Sequence, residues 1–331
     1  MLDLNSKKLI NLKKALIVGV SGQDGSLLAN YLLSKGYKVF GSSRDSQSNS
    51  FNNLKLLGIL SEVEKISVSI NDFRSVISAI NRIKPDEIYN LAGQTSVSLS
   101  FQQPVETIES IVLGNLNLLE AIRLSNLPIK FYNAGSSEMF GDLIKPANET
   151  TRLSPKSPYG VAKSAAFFQV VNYREAYGIN ASTGILFNHE SPLRKKHFVT
   201  AKIVHAVCDI HMKKRKKLQL GNLKIVRDWG WAPQYVEAMW KMLQIDNPSD
   251  FIIGTGISLS LEKFVKIAFN YFNLNWEDFV EKDDQLLRPS DISCGYSDPS
   301  KAKELLKWEA ELKGENLIYK LIESHLNSTI L

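Results

Sequence analysis

Tyr159 and Lys163 stand four residues apart in the run Ser157-Pro158-Tyr159-Gly160-Val161-Ala162-Lys163. On a helix that spacing is one turn, so the phenol and the ammonium share a face. An ammonium beside a phenol favours the phenolate and lowers its pKa from about 10. Such a tyrosine can take the proton of an alcohol while hydride leaves the same carbon. Upstream, Asn133-Ala134-Gly135-Ser136-Ser137-Glu138 carries two more reactive groups. Ser136 can hold a substrate oxygen next to Tyr159. Glu138 adds a carboxylate acid or base that a plain dehydrogenase does not need. Alone, a Tyr/Lys pair at this spacing is a common surface feature, and Glu138 equally suits a helix start, where the macrodipole favours an acid.

A third motif takes these residues out of the ordinary. Gly19-Val20-Ser21-Gly22-Gln23-Asp24-Gly25 follows an apolar run at 15–18 and opens a helical pattern. Gly19 at the turn, Gly22 beneath a pyrophosphate and Gly25 at the strand–helix contact let the backbone approach a dinucleotide, with Gln23 and Asp24 between them. After the next apolar run the chain reads Gly41-Ser42-Ser43-Arg44-Asp45. An acid at this point would accept ribose hydroxyls and repel a 2′-phosphate. Arg44 can instead fork onto that phosphate, and Ser43 can add a donor, so NADP is expected over NAD. Asp45 pulls the other way, and Arg44 as a simple surface cation is the alternative.

The elements that must position these groups alternate. Apolar runs near 15–19, 37–40, 66–68, 87–91, 129–132 and 182–187 read as strands, and helical periods fill 25–35, 73–83, 104–125 and 157–177. That order predicts an α/β fold, a Rossmann-type doubly wound parallel sheet with helices on both faces. Pro85 and Pro128 stop the helices before two of the strands. Residues 1–187 are expected to form mainly the dinucleotide-binding domain with the catalytic groups. Residues 188–331, less regular apart from a helix near 198–211, are expected to form mainly a smaller substrate-binding region, with some chain crossing back.

Composition bounds the function. Forty basic against 34 acidic residues give a net charge of +6 over 331 residues, which suits an anionic ligand without marking a nucleic-acid binder. The basic run Lys213-Lys214-Arg215-Lys216-Lys217 lacks interleaved aromatics and reads as a solvated face. Two cysteines, Cys208 and Cys294, are too few for a disulfide framework, and the five histidines show no metal-ligand spacing, so no metal is expected. No run approaches the length that spans a bilayer, and residues 1–14 lack a signal-peptide core, so a cytoplasmic protein with no membrane or nucleic-acid partner is expected.

The glycine loop, the Ser136–Glu138 segment and the SPYGVAK run together resemble the extended short-chain dehydrogenase/reductase family. The blocks NYREAYGINASTGILFNHESP, FVTAKI, LGN, RDWG and LLRPSD resemble, within it, the GDP-mannose 4,6-dehydratases, from position 14 to about 308. That resemblance implies a redox-neutral elimination. Tyr159 would take the C4 hydroxyl proton while hydride passes to NADP; Glu138 would remove the proton from C5 and help expel the C6 hydroxyl; hydride would return to C6. Lys163 would depress the tyrosine pKa and hold the nicotinamide ribose, and Ser136 would donate a hydrogen bond. Further cofactor contacts are implied for Asn71, Asp72, Leu91, Ala92 and Gly93. GDP-sugar contacts are implied for Ser96, Asn188, Lys202, Arg227 and Arg288, the last three toward the phosphates and ribose. The substrate would be GDP-mannose and the assembly a homodimer or homotetramer.

The chain departs from the family pattern at Ser69, where an acid is usual near the adenine, at Asp45 and Leu193 in place of arginines, and at Trp231 in RDWGWA. Other functions on the same fold stay open: a dehydratase of a related GDP-sugar such as a GDP-heptose, a nucleotide-sugar epimerase or reductase, or a non-catalytic dinucleotide sensor. Glu138 argues against an epimerase or reductase, which needs no base at C5. The presence of Ser136, Glu138, Tyr159 and Lys163 together argues against a sensor.

Overall fold

The computed structural model describes residues 12–331. Positions 1–11 of the leader considered above lie outside the described residues. In the first half, β1 (Lys14–Val18), α1 (Gln23–Ser34), β2 (Lys38–Ser43), a short α2 (Asn52–Leu56), β3 (Glu64–Ser67), α3 (Phe73–Ile83) and β4 (Glu87–Asn90) follow one another. Next come α4 (Val97–Gln102), α5 (Pro104–Ile108), α6 (Gly114–Ser125), β5 (Lys130–Ala134), α7 (Pro158–Tyr177) and β6 (Ala181–Leu186). The second half holds β7 (Asn188–Glu190), α8 (Val199–His211), β8 (Leu218–Leu220), β9 (Val226–Trp231), α9 (Ala232–Gln244) and β10 (Phe251–Ile253). It ends with β11 (Ser258–Ser260), α10 (Leu261–Asn270), β12 (Val280–Lys282), α11 (Ser300–Leu305) and α12 (Gly314–Leu326).

Seven strands form one sheet in the order β10-β6-β5-β4-β1-β2-β3, every pairing parallel. The order reverses at β1, so the crevice beyond the carboxyl ends of β1 and β4 is the natural ligand site of such a sheet. Both faces are covered, which is why β4 and β6 are buried at every residue, polar ones such as Glu87, Asn90, Ser182 and Thr183 included. Alternation along β1 sends Ala15 and Ile17 into one core with Leu28 of α1 and Met239 of α9. Leu16 and Val18 go into the opposite core with Ile80 of α3 and Leu118 of α6. A third core, built from Ile203, Trp229, Phe264 and Ile318, supports the region of α8, α10 and α12.

The helix ends are written in the chain. Asp72 caps α3 by accepting from the Arg74 amide at 3.0 Å, and Lys84, in the left-handed region at φ 50°, closes it before Pro85. Ser157 caps α7, its Oγ accepting from the Gly160 amide at 3.0 Å, and Pro158 fills the first turn.

One feature was not foreseen. The helix expected over 104–125 is interrupted by a π-helical turn, Glu109–Leu113, between α5 and α6. That turn brings Ile111 against Tyr159, Ala162 and Ala166 of α7, a rotation that a regular 3.6-residue period cannot register. The seventh strand, β10, comes from beyond residue 188 and pairs with β6, while α9 before it packs on α1. Among the described residues, no helix is long and apolar enough to cross a membrane. The basic run at 213–217 is exposed throughout, with Lys217 3.3 Å from Glu281.

Candidate active site

A cleft of about 350 Å³ opens at the carboxyl ends of the sheet strands, between the two halves of the chain. It is lined by Ser136, Glu138, Tyr159 and Lys163 together. β5 ends at Ala134, and Gly135 turns the chain so that Ser136 begins a short 3₁₀ turn, its Oγ accepting from the Glu138 amide at 3.2 Å. α7 then lies against this turn. A Cβ at Gly160 would stand 2.6 Å from the Glu138 carbonyl oxygen, so only glycine lets Tyr159 and Glu138 approach this closely. Gly160 is thus a determinant of the site that the Tyr/Lys spacing alone did not single out.

Burial dominates the electrostatics of the site. Burial pushes the Tyr159 phenol up to about 12, opposed by Ser136 and Arg194. The Lys163 ammonium donates to the Ala134 carbonyl at 2.7 Å and lies 5.8 Å from the Tyr159 ring centre. Its own pKa falls to about 8 because burial disfavours its charge. In the protein alone, desolvation is the largest influence on the phenol, and the Lys163 ammonium is turned to the Ala134 carbonyl. Burial also raises the Glu138 carboxyl, while Arg227 and Arg288 pull it back down. A carboxyl lifted this way is a better base once ionised.

The glycine loop tests whether a dinucleotide fits. Gly19 has φ 92°, and a Cβ there would lie 2.9 Å from the Ala92 amide nitrogen; one on Gly25 would lie 2.3 Å from the Gly19 carbonyl. These two are demanded by the protein's own packing. Gly22 is different: a Cβ there would meet nothing closer than the Gly19 carbonyl at 3.5 Å. The absence of a side chain at Gly22, the N-cap of α1, leaves that helix end open to an anion. The residues fit the group.

Around that loop, Leu91 and Ala92 line the cleft, and Gly93 follows them with φ 119°. Ser43 ends β2, its Oγ donating to the Asp45 carbonyl at 2.9 Å. Arg44 is exposed and sits 3.4 Å from Glu106, and Asp45 accepts from the Gln47 amide at 2.8 Å, its carboxylate turned into its own loop. Asn71 and Asp72 follow β3. The Asn71 Oδ1 is buried without a partner, while Asp72 caps α3. Gln23 and Asp24 are occupied by the protein. The Gln23 amide donates to the His189 carbonyl at 3.2 Å, and Asp24 pairs with His189 at 2.8 Å. Gly19, Gly22, Gln23, Gly25, Ser43, Arg44, Asn71, Asp72 and Gly93 stand outside the cleft lining, whereas Asp24 is part of it.

Ser96, Asn188, Lys202, Arg227 and Arg288 all line the same cleft. Ser96 caps α4, Asn188 opens β7, and Lys202 projects from α8. Arg227 and Arg288 converge on one carboxylate oxygen, each 3.2 Å from Asp291 Oδ1. Asp291, within the LLRPSD block, had no role in the sequence-based picture, nor did His189 and Arg194, which also line the cleft. Trp231 does not. It packs under α12, with Lys320 5.7 Å from its ring centre, and Trp229, two residues earlier on β9, lines the cleft instead. A substitution at 231 therefore alters the supporting core.

The family model described as GDP-mannose 4,6 dehydratase matches residues 16–321. The chain belongs to the GDP-mannose 4,6-dehydratase family. It is 44% identical over 326 residues to GDP-mannose 4,6 dehydratase 2 of Arabidopsis thaliana, covering 95% of this chain and 87% of that one. It is 38% identical to the GDP-mannose 4,6-dehydratase of Yersinia enterocolitica, covering 95% and 94%. The crystal structure of dTDP-glucose 4,6-dehydratase from Bacillus anthracis in complex with NAD superposes with a TM-score of 0.82 at 20% identity, over 95% of this chain and 97% of that one. At that identity it attests the shared fold.

Proposed function

We propose that the chain converts GDP-mannose to GDP-4-keto-6-deoxymannose, with NADP held along the carboxyl ends of β1 to β4. The observation that carries this reading is the presence of Glu138 in the same cleft wall as Ser136, Tyr159 and Lys163. An oxidation at C4 alone would need the tyrosine and lysine; a carboxylate of raised pKa beside them serves an elimination. NADP bound there supplies a hydride acceptor, a matching donor, and, when oxidised, a positive charge that stabilises phenolate. Ser136 holds the C4 oxygen, and Tyr159 Oη takes its proton. The resulting ketone acidifies C5, Glu138 takes the C5 proton, and the carboxyl then protonates the departing C6 hydroxyl, which leaves as water. The enone that remains would be saturated by return of the C4 hydride to C6 and of the Tyr159 proton to C5, so that hydride, protons and water balance within one site.

Charge supports the ligand assignment. Arg227, Arg288 and Lys202 line the cleft, Arg227 and Arg288 converging on Asp291, and arginine suits bidentate phosphate contacts. Asn188 supplies a neutral polar group beside them. Arg44 and Ser43 are the groups for the 2′-phosphate, and the turn of Asp45 into its own loop removes a nearby competing acid. Incubating the purified protein with GDP-mannose and NADP⁺ tests the reading. A product lighter by one water, with deuterium placed at C4 recovered at C6, is expected. Recovery of unchanged sugar, or of a C4-epimer, would overturn it.

A further inference from the structure

His189 is buried in the cleft wall, and both of its ring nitrogens face oxygen. Nδ1 lies 2.7 Å from the Phe187 carbonyl and Nε2 lies 2.8 Å from Asp24 Oδ2. A carbonyl can only accept, and so can an ionised carboxylate. Burial raises the Asp24 carboxyl, but His189 and the Gln23 amide, the latter at 2.9 Å, outweigh burial and hold it down at about 2, which favours the carboxylate. A neutral imidazole has one N–H and could satisfy one partner only. Both contacts are met when the ring is an imidazolium donating from each nitrogen. The charged groups facing the ring's surroundings are Asp24 from α1 and Arg194 from the loop before α8; from α9, the Tyr235 ring stacks on it at 4.6 Å.

The pair joins two ligand-bearing elements. Asp24 is in the first turn of α1, directly after the glycine loop, and His189 follows Asn188 on β7. A second link runs beside it: the Gln23 amide donates to the His189 carbonyl at 3.2 Å, and the Ser191 hydroxyl donates to Gln23 Oε1 at 2.9 Å. A buried ion pair is weak as a source of stability, since apolar groups of similar shape do as well. Its distinctive property is direction. It fixes the helix end that receives one anionic ligand relative to the strand that receives the other.

We propose that the Asp24–His189 ion pair is a positioning latch that couples dinucleotide binding at the glycine loop to GDP-sugar binding at Asn188, so that each ligand tightens the other. This rests on the proposed function for the identity of the two ligands. Neither residue acts on the reacting atoms.

Two measurements test it. Nitrogen-15 spectra of histidine-labelled protein should show His189 protonated at both nitrogens at pH 7.5, and Asp24→Asn should return it to a neutral ring. Titration of GDP, without and with saturating NADP⁺, should show affinity raised by about tenfold or more in the wild type. The double variant Asp24→Asn/His189→Phe removes both charges of the pair together and keeps a ring on Tyr235. It should bring that ratio to about one (two ligands then binding independently) while GDP alone binds much as before. A merely structural role would weaken each ligand separately and leave the ratio intact. A neutral His189 in the wild type, or a ratio preserved in the double variant, would overturn the latch. If the ligand assignment fails, the wild type binds neither GDP nor NADP⁺; if only the reaction assignment fails, both still bind and the coupling ratio is read as before, and in either case the nitrogen spectrum decides whether the pair is ionised.

Discussion

Gly160→Ala is the sharpest probe of the site, because it adds one methyl group and touches no reactive atom. In the wild type a Cβ at 160 would stand 2.6 Å from the Glu138 carbonyl oxygen, whereas ordinary contact begins at 3.4 Å. The neighbour is backbone and cannot rotate away, so α7 and the Ser136–Glu138 turn must separate by about 0.8 Å, the difference between those distances. Pro155 Cβ, 3.0 Å from the same point, limits escape on that side. Misplacing reacting groups by about 1 Å costs on the order of 100-fold in rate. kcat should therefore fall by roughly 10- to 100-fold, scaled to this smaller shift, with KM for GDP-mannose within about threefold because the diphosphate contacts lie elsewhere. Stability should fall by up to about 2 kcal/mol, since alanine's better helix propensity, about 1 kcal/mol, offsets only part of overpacking of about 1–3 kcal/mol. Steady-state kinetics beside a thermal melt checks this. A folded variant with kcat within twofold of wild type would show that close apposition of α7 and the Glu138 turn is not required.

Glu138→Gln keeps the shape but removes the base, so water loss should slow by about 10²–10⁴-fold while GDP-mannose still binds by calorimetry; near-normal dehydration would contradict the assignment. The raised Glu138 carboxyl places the acid limb of the kcat/KM profile above the usual 4.5, and a profile flat down to pH 4 would show that burial does not control this group. Arg44→Ala should weaken NADP⁺ binding far more than NAD⁺ binding, and equal losses in titration would mean that Arg44 does not read the 2′-phosphate. Asp24 has a folded pKa of about 2, below its ordinary 3.8, so its contribution is present above pH 3.8 and lost as pH falls toward 2. That contribution is about 2 kcal/mol at neutral pH, and denaturant melts of Asp24→Asn should lack this part of the wild-type acid dependence.

Much of the fold was legible because it is written in local pattern. Buried parallel strands produce short apolar runs, capped helices produce Asp72 and Ser157, and the order of the two gives a doubly wound sheet. The reactive residues were legible for a related reason: Tyr159 and Lys163 are one turn apart on one helix, and Ser136 and Glu138 share one turn, so chain spacing already sets their geometry. What tertiary structure decided involves groups far apart in sequence. Only folding shows that Asp24 meets His189, that Asp291 joins Arg227 to Arg288, and that Trp231 faces a supporting core. Sequence also could not supply the direction of the Tyr159 shift. Spacing reports which charge is near, whereas desolvation depends on everything packed around the phenol, including Ile111 from the π turn. Local spacing therefore names the chemistry, and the burial that tunes it belongs to the whole fold.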